Sequence, residues 1–391
     1  MATTVAIIRS KERLRTATNP NCPPSGSSPA TRRPLLRLGY TQHTMTPFPT
    51  GKLPPRIFQG LLTACQVPRN SRVVLGPRFG EDAAVIDMGD KYLVAKTDPI
   101  TFTSERIGWY AVNINANDIA TMGARPLWFL ATLLLPQSST SLTLVRRIFR
   151  DTLRACADLG VTLCGGHTEV TLGLDRPILV GEMLGEVAKS KLIRKDGQRP
   201  GDVVLLTRGI AIEGTAILAR EKGPGLSRKV HLEALRRARG LLLRPGISIV
   251  QDALLAQRFG EIHAMHDPTE GGLASALYEL AKAGGVGLRI WRDKVPILEE
   301  TRRLSEILRF DPFALIASGS LLVVASAESA PGLLRAYSRR HVTAAIIGEV
   351  TEAAAGIQWV EGGRTEPLRV PERDEIARLL QGEKRSSAAK A

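Results

Sequence analysis

The stretch Gly80–Asp98, GEDAAVIDMGDKYLVAKTD, sets Glu81 and Asp82 in a glycine-led turn before one strand and Asp98 at the end of the next. AAVID reads as the first strand, Met-Gly-Asp as the connecting turn and KYLVAKTD as the second strand. The Ala/Val/Ile and Tyr/Leu/Val runs are bounded by glycine-containing turns, which is the pattern of extended chain. A carboxylate pair at one strand's mouth and a third carboxylate at the end of its neighbour can converge. Converging carboxylates repel one another unless a cation or a bound proton relieves them. Two readings follow: a Mg²⁺-phosphate site, or a plain hairpin with two surface acids in its turn.

Upstream, residues 54–65, PPRIFQGLLTAC, predict a short amphipathic helix leading into the strand VVLG. Downstream, Glu105–Gly123 predicts a proline-free helix ending at a glycine suited to its C-terminus. Its faces are Trp, Tyr, Ile, Val, Ala and Met, so it is largely buried, and Asn117, Asp118 and Thr121 share one arc of ~100°. Buried Asn and Asp need hydrogen-bond partners or a ligand; capping of neighbouring loops is the other way to satisfy them. PLWFLATLLLP predicts a strand buried on both faces, and residues 140–160 a helix with one apolar face. VTLCGGHTEV predicts a strand broken at Gly165-Gly166 and followed by His167, Thr168 and Glu169. RPILVGEMLGEVA closes the unit as a strand, and the polar, Gly/Pro-bearing residues 190–202 mark a domain boundary.

The second half again alternates strands and helices. DVVLLT is a strand, and the heptad Gly209–Thr215 opens a helix through Arg220. Thr215 stands where a P-loop needs lysine, so Walker-type phosphate binding is not expected. Residues 231–242 and 246–258 read as helices. In HAMHDPTEGGLASALYELAKAGGVGL a strand end delivers His266 and Asp267, a Pro-Thr-Glu-Gly-Gly turn follows, and a helix begins near Gly272. Free N–H groups at that helix N-terminus suit an anion such as phosphate. GLRIW, SLLVVAS, AAIIGEV and GIQWV add strands, with helices near 298–308 and 328–340 and a basic, Ser/Ala-rich disordered tail after about 381.

At 391 residues the chain suits about two domains. No apolar run reaches the ~20 residues of a membrane-spanning helix. Of the formal charge of +15, residues 1–44 hold seven Lys/Arg against one acid; the rest is scattered, with Arg236, Arg237 and Arg239 the densest group. No aromatic-interleaved basic stripe accompanies it, so solvated helix faces explain the charge better than nucleic acid does. Residues 1–44 are Ser/Thr/Pro/Arg-rich and are either a presequence or a disordered extension, unless translation starts at Met45. Cys22, Cys65, Cys156 and Cys164 lack C-x-x-C spacing, which argues against structural zinc and for a reducing, cytoplasmic setting. Cys156 and Cys164 lie in apolar contexts and read as core fillers.

GEDAA, KTDPI, NANDIATMGARP, GGHTEV, RPGDVVLLTRGIAIEGTAILARE, HDPTEGGLASALYELA and IIGEV occur in that order. Over about residues 46–380 the chain resembles the AIR synthase superfamily, most of all its HypE-like, AIR-synthase-related branch. The resemblance implies a two-domain α/β (α+β) fold that forms a homodimer through its N-terminal sheets. It divides the chain into an N-terminal ATP-binding domain at 46–189, a C-terminal domain at 200–352, and a strand, helix and tail at 353–391. ATP with Mg²⁺ would sit in an acidic groove. By motif, Asp82, Asp98, Asp118 and Asp267 would hold the metal, with Glu169 as a further ligand. Gly80, Glu81, Asn117, Thr168, Gly271 and Gly272 would contact the nucleotide, and Lys96 or His167 would assist the transferred charge. The implied chemistry is phosphoryl transfer that activates an amide, carbonyl or phosphate oxygen of a small substrate.

The sequence also departs from the pattern. It ends SSAAKA without the C-terminal cysteine of hydrogenase-maturation HypE, and His167 stands where several superfamily members have aspartate. A cysteine or selenocysteine closely followed by lysine, as in selenophosphate synthetase, is not seen. The alternative expectation is therefore a nucleotide-binding maturation or scaffold partner that does not itself catalyse.

Overall fold

The computed structural model describes residues 48, 50–64, 70–226, 230–259 and 261–388. The expectations for residues 1–44, Met45, Cys22 and Cys65 lie outside them. The short apolar runs and glycine turns form two mixed sheets, each carrying helices. The first contains β1 (Val73–Leu75), β2 (Ala84–Asp87), β3 (Lys91–Ile100), β4 (Arg125–Pro136), β5 (Thr162–Thr171) and β6 (Ile178–Ala188). Its order is β1-β2-β3-β6-β4-β5, antiparallel except for the β4–β5 pair. Helices α1 (Pro55–Ala64), α2 (Ile107–Thr121) and α3 (Leu142–Leu159) belong to this half.

The second sheet contains β7 (Val203–Thr207), β8 (Ile262–His266), β9 (Gly287–Trp291), β10 (Leu322–Ala325), β11 (Ala344–Thr351), β12 (Ile357–Glu361) and β13 (Arg364–Pro367). Its order is β13-β12-β9-β11-β7-β10-β8, and only β9–β12 is parallel. Its helices are α4 (Ile212–Glu221), the single turn α5 (Gly223–Leu226), α6 (Leu232–Gly240), α7 (Val250–Ala256), α8 (Gly272–Gly284), α9 (Glu299–Leu308), α10 (Ala330–Arg339) and α11 (Glu375–Ala388). The backbone thus continues as helix past residue 381 to Ala388, where the sequence suggests a disordered tail. Among the described residues no helix is long and apolar enough to cross a membrane.

Helix α2 is the element on which both halves close. It packs on β3, β4 and β6 of the first sheet, on α3, and on α7 and β8 of the second half. All but one of its residues are buried, because apolar side chains run round the whole helix. Close approach to β6 requires a glycine: a Cβ on Gly181 would lie 2.5 Å from Asn115 Nδ2 and 2.8 Å from the Phe129 ring. The polar residues on α2 serve this closure. Asn115 Oδ1 accepts from the Asp98 N–H at 2.8 Å and its amide donates to the Asp98 carbonyl at 3.3 Å, fixing β3. Asn117 donates to the Ile247 carbonyl at 2.9 Å and accepts from the Ile249 N–H at 2.9 Å, fixing the chain ahead of α7.

Three local expectations are corrected. Strand β4 is not buried on both faces: Phe129, Leu133 and Leu135 are buried, whereas Leu130 and Leu134 are half-exposed. The Gly165-Gly166 pair does not break β5; instead the β4–β5 register skips Cys164, which bulges and is exposed. Cys164 is therefore no core filler, unlike Cys156, whose thiol burial pushes up to about 11.

Asn117→Ala is expected to strand the buried Ile247 carbonyl and Ile249 N–H, lowering stability by about 2–4 kcal/mol in urea unfolding. An unchanged midpoint would show that neither group depends on Asn117.

Candidate functional site

Charged groups from seven segments, Lys52 ahead of α1 among them, meet between the two sheets. The turn before β2 supplies Asp82, and alternation along β3 puts Lys96 and Asp98 on one face. Helix α2 supplies Asp118 and Thr121, three residues apart and so neighbours on the helix surface. The passage between the sheets supplies Lys195, the end of β8 supplies His266 and Asp267, and α8 supplies Glu279.

Asp82 is the most heavily bonded of these. Its Oδ1 lies 2.7 Å from Lys195 Nζ and 3.0 Å from His266 Nδ1, and its Oδ2 accepts from Thr121 Oγ1 at 3.0 Å. Burial opposes its charge, but His266 and then Lys195 overcome that and hold the carboxyl well below the usual carboxylate range. Burial likewise disfavours a charged His266, but Asp82 outweighs it and raises the pKa of the ring. Its Nδ1 lies 3.0 Å from both Asp82 Oδ1 and Lys195 Nζ, and its Nε2 lies 3.0 Å from Glu279 Oε2. Glu279, opposed by burial but drawn down by Lys52 and His266, is held at about 2. Lys52 reaches in from the N-terminal side, 3.2 Å from Glu279 Oε1, while its backbone N–H donates to Glu270 Oε1 at 2.6 Å.

A second group lies beside this one. Lys96 Nζ stands 3.3 Å from Asp98 Oδ2 and 3.2 Å from Asp118 Oδ2. The Asp118 contact has ion-pair distance without hydrogen-bond geometry, so that oxygen stays without a hydrogen-bond donor. Burial pushes the Asp118 carboxyl well up, and Lys96 only partly offsets it. Asp267 is 0% exposed and neither of its oxygens has any partner. Burial first, and the neighbouring Asp82 second, push its carboxyl up to about 6. Ligand atoms of Asp82, His266 and Asp267 all lie within 4.8 Å of one another.

Beyond Asp267 the turn Thr269–Gly272 opens α8. Gly271 and Gly272 have φ of 83° and 64°, and a Cβ on Gly272 would lie 2.5 Å from the Phe313 carbonyl. Asp374 accepts from the N–H groups of Gly271 and Ile316, so the last segment before α11 braces the turn. No side chain caps the first turn of α8, which leaves N–H groups for an anion.

Not every candidate residue joins this centre. Asn117 is turned to residues 247–249, its amide nitrogen and oxygen each bonded to backbone there. His167, Thr168 and Glu169 lie on exposed β5, where His167 and Glu169 pair with each other at 3.2 Å. Asp98 is opposite Gly181, Gly181 opposite Ala131, and Ala131 opposite Gly166, so His167 lies three strands, about 14 Å, away. Glu81 sits at the rim with Oε2 unpaired, and burial raises its pKa. The Gly80 carbonyl accepts from Lys195. Asp82, expected to hold metal, has both oxygens engaged by protein groups.

Sequence reasoning missed Lys195, Glu279, Lys52 and Asn115. Lys195 falls in the polar stretch 190–202 that the sequence marks as a domain boundary, yet it is 1% exposed; nothing in its neighbours signals that. Glu279 carried a signal, being three residues after Ala276 on the apolar stripe of α8.

Residues 80–187 match the N-terminal domain of AIR synthase related protein, and residues 199–360 match the C-terminal domain. The chain belongs to the AIR synthase-related family. A putative hydrogenase expression/formation protein of Methanocaldococcus jannaschii is 30% identical, over 71% of this chain and 81% of the relative. Carbamoyl dehydratase HypE of Azotobacter vinelandii is 31% identical, over 69% and 78%. Among solved structures, hydrogenase maturation protein HypE in complex with ATP superposes with a TM-score of 0.63 at 25% identity, covering 76% of this chain and 90% of that one. The family fold is the two-domain α/β architecture expected.

Asp267 makes a pH-dependent prediction for metal-free protein. Its folded pKa, at about 6, exceeds the ordinary 3.8, so the folded state binds the extra proton between those values and stability falls as pH rises through that window. Asp267→Asn is expected to stabilise the metal-free chain by up to about 3 kcal/mol at pH 8 and hardly at all at pH 4. Thermal melts in chelator at both pH values check this; an equal effect at both would mean the carboxyl titrates normally.

Proposed function

We propose that this chain is an ATP- and Mg²⁺-dependent enzyme that activates an amide, carbonyl or phosphate oxygen of a small substrate by phosphoryl transfer. The observation that carries the reading is Asp267, a wholly buried carboxylate with two unpartnered oxygens at the mouth of an uncapped helix. Such a group is costly unless a cation meets it. Its donors are hard oxygens, as are those of Asp118 and Asp98 nearby, and such donors suit Mg²⁺. These three residues would hold the ion, which would neutralise phosphate charge. Lys96, poised between Asp98 and Asp118, supplies a fixed positive charge for the transferred group. The N–H groups opening α8 would receive phosphate oxygens, which requires no P-loop lysine. Relatives named for carbamoyl dehydration and a HypE structure named for bound ATP support the same chemical class.

The working unit in this reading is a homodimer joined through the first sheet. Strand β5 is exposed along nearly its whole length, with Val170 at 56% and the following Leu172 at 78% exposure. An uncovered strand edge of that length invites pairing. The free thiols of Cys156 and Cys164 support a reducing, cytoplasmic setting.

Asp98→Asn and Asp267→Asn should each weaken Mg²⁺-dependent ATP binding about 10–100-fold in calorimetry. Unchanged binding in both would make these carboxylates structural, and tight binding without turnover on any acceptor would favour the scaffold alternative. Val170→Glu should convert the dimer to monomer in sedimentation; a native monomer would refute the pairing.

A further inference from the structure

Lys195 stands where a metal ion would have to stand to use Asp82 and His266. Those two side chains and Asp267 bring three ligand atoms within 4.8 Å of one another, a spacing that suits a cation. Yet Lys195 Nζ is 2.7 Å from Asp82 Oδ1 and 3.0 Å from His266 Nδ1, and it also donates to the Gly80 carbonyl. The remaining capacity of the pair is taken as well: Thr121 holds Asp82 Oδ2, and Glu279 receives His266 Nε2. Of the three, only Asp267 has oxygens without partners.

The lysine is held in place by its backbone. Gln198 donates to the Lys195 carbonyl at 2.8 Å and to the Leu280 carbonyl at 2.9 Å, tying the segment to α8. Gly197 lies against β8 so closely that a Cβ there would be 2.7 Å from the His263 carbonyl. With the side chain 1% exposed, displacing the ammonium would break a buried ion pair that has no direct access to solvent.

We propose that Lys195 is a built-in counter-cation that keeps Asp82 and His266 out of the metal-binding set and so determines which ion the site accepts. A lysine in this position removes the imidazole donor that borderline metals such as Co²⁺ and Zn²⁺ favour, leaving only oxygen donors, which select Mg²⁺ or Mn²⁺. The same ammonium ties Gly80 and Asp82 of the first half to His266 of the second. Only the identity of the remaining ligands rests on the function proposed above; the exclusion of His266 does not.

The test uses Co²⁺ and the full chain without nucleotide. Lys195→Met is expected to bind Co²⁺ about 10–100-fold more tightly than the unaltered chain and to show a nitrogen-ligated visible spectrum. Both gains should vanish in the double variant Lys195→Met, His266→Ala. A folded Lys195→Met chain with no gain would overturn the proposal. So would a nitrogen-ligated Co²⁺ site in the unaltered chain that His266→Ala removes. If Lys195→Met does not fold, pulsed EPR of the unaltered chain with Mn²⁺ and ATP decides: a histidine ¹⁴N coupling overturns the proposal, and bound Mn²⁺ without one supports it. Failure of the unaltered chain to bind Mn²⁺-ATP at all would count against the proposed function, while a Co²⁺ gain in Lys195→Met would still support the role of the lysine.

Discussion

Asp82 carries a negative charge at a depth where water scarcely reaches it, and much of the molecule is arranged to make that tolerable. Lys195 comes from the passage between the sheets, His266 from the end of β8 and Thr121 from α2. A buried charge missing one of these partners would face a desolvation cost of several kcal/mol, so all three elements must be in register together. The two sheets are thereby joined by ion pairs and hydrogen bonds as well as by apolar packing on α2. Asn117, gripping residues 247–249 from the same helix, reinforces that closure.

Beside this satisfied half of the centre lies one that is not. Asp267 and one oxygen of Asp118 lack hydrogen-bond donors, and both carboxyls are pushed up by burial. Protein interiors pair most such groups, and a bound ion is one reason for leaving a carboxylate open. The contrast between neighbours a few ångströms apart divides their work: one set of charges holds the halves together, and the other, in the function proposed above, receives a cation and an anion.

The motif-bearing residues on β5 show how far sheet register can separate neighbours in a sequence pattern. His167, Thr168 and Glu169 follow a glycine pair and look like site residues, but β6 and β4 intervene between β3 and β5. Order along the chain gives no hint of that interleaving, because strand order depends on which apolar faces cover one another.

Much of this protein was legible in its residues. The apolar runs and glycine turns mark nearly every strand and helix, since local periodicity reflects which face is buried. The carboxylates Asp82, Asp98, Asp118 and Asp267 stand out because acids at strand ends and in an apolar helix are expensive. Tertiary structure alone decided what each acid does. Lys195 sits in a polar, glycine-bearing stretch with no periodicity, and its burial arises only when that stretch is folded against β8 and α8. Asp82 and Asp267 look alike in sequence; one is neutralised by a lysine 113 positions away and the other is left open. That difference is set by contacts between distant segments, which no local pattern encodes.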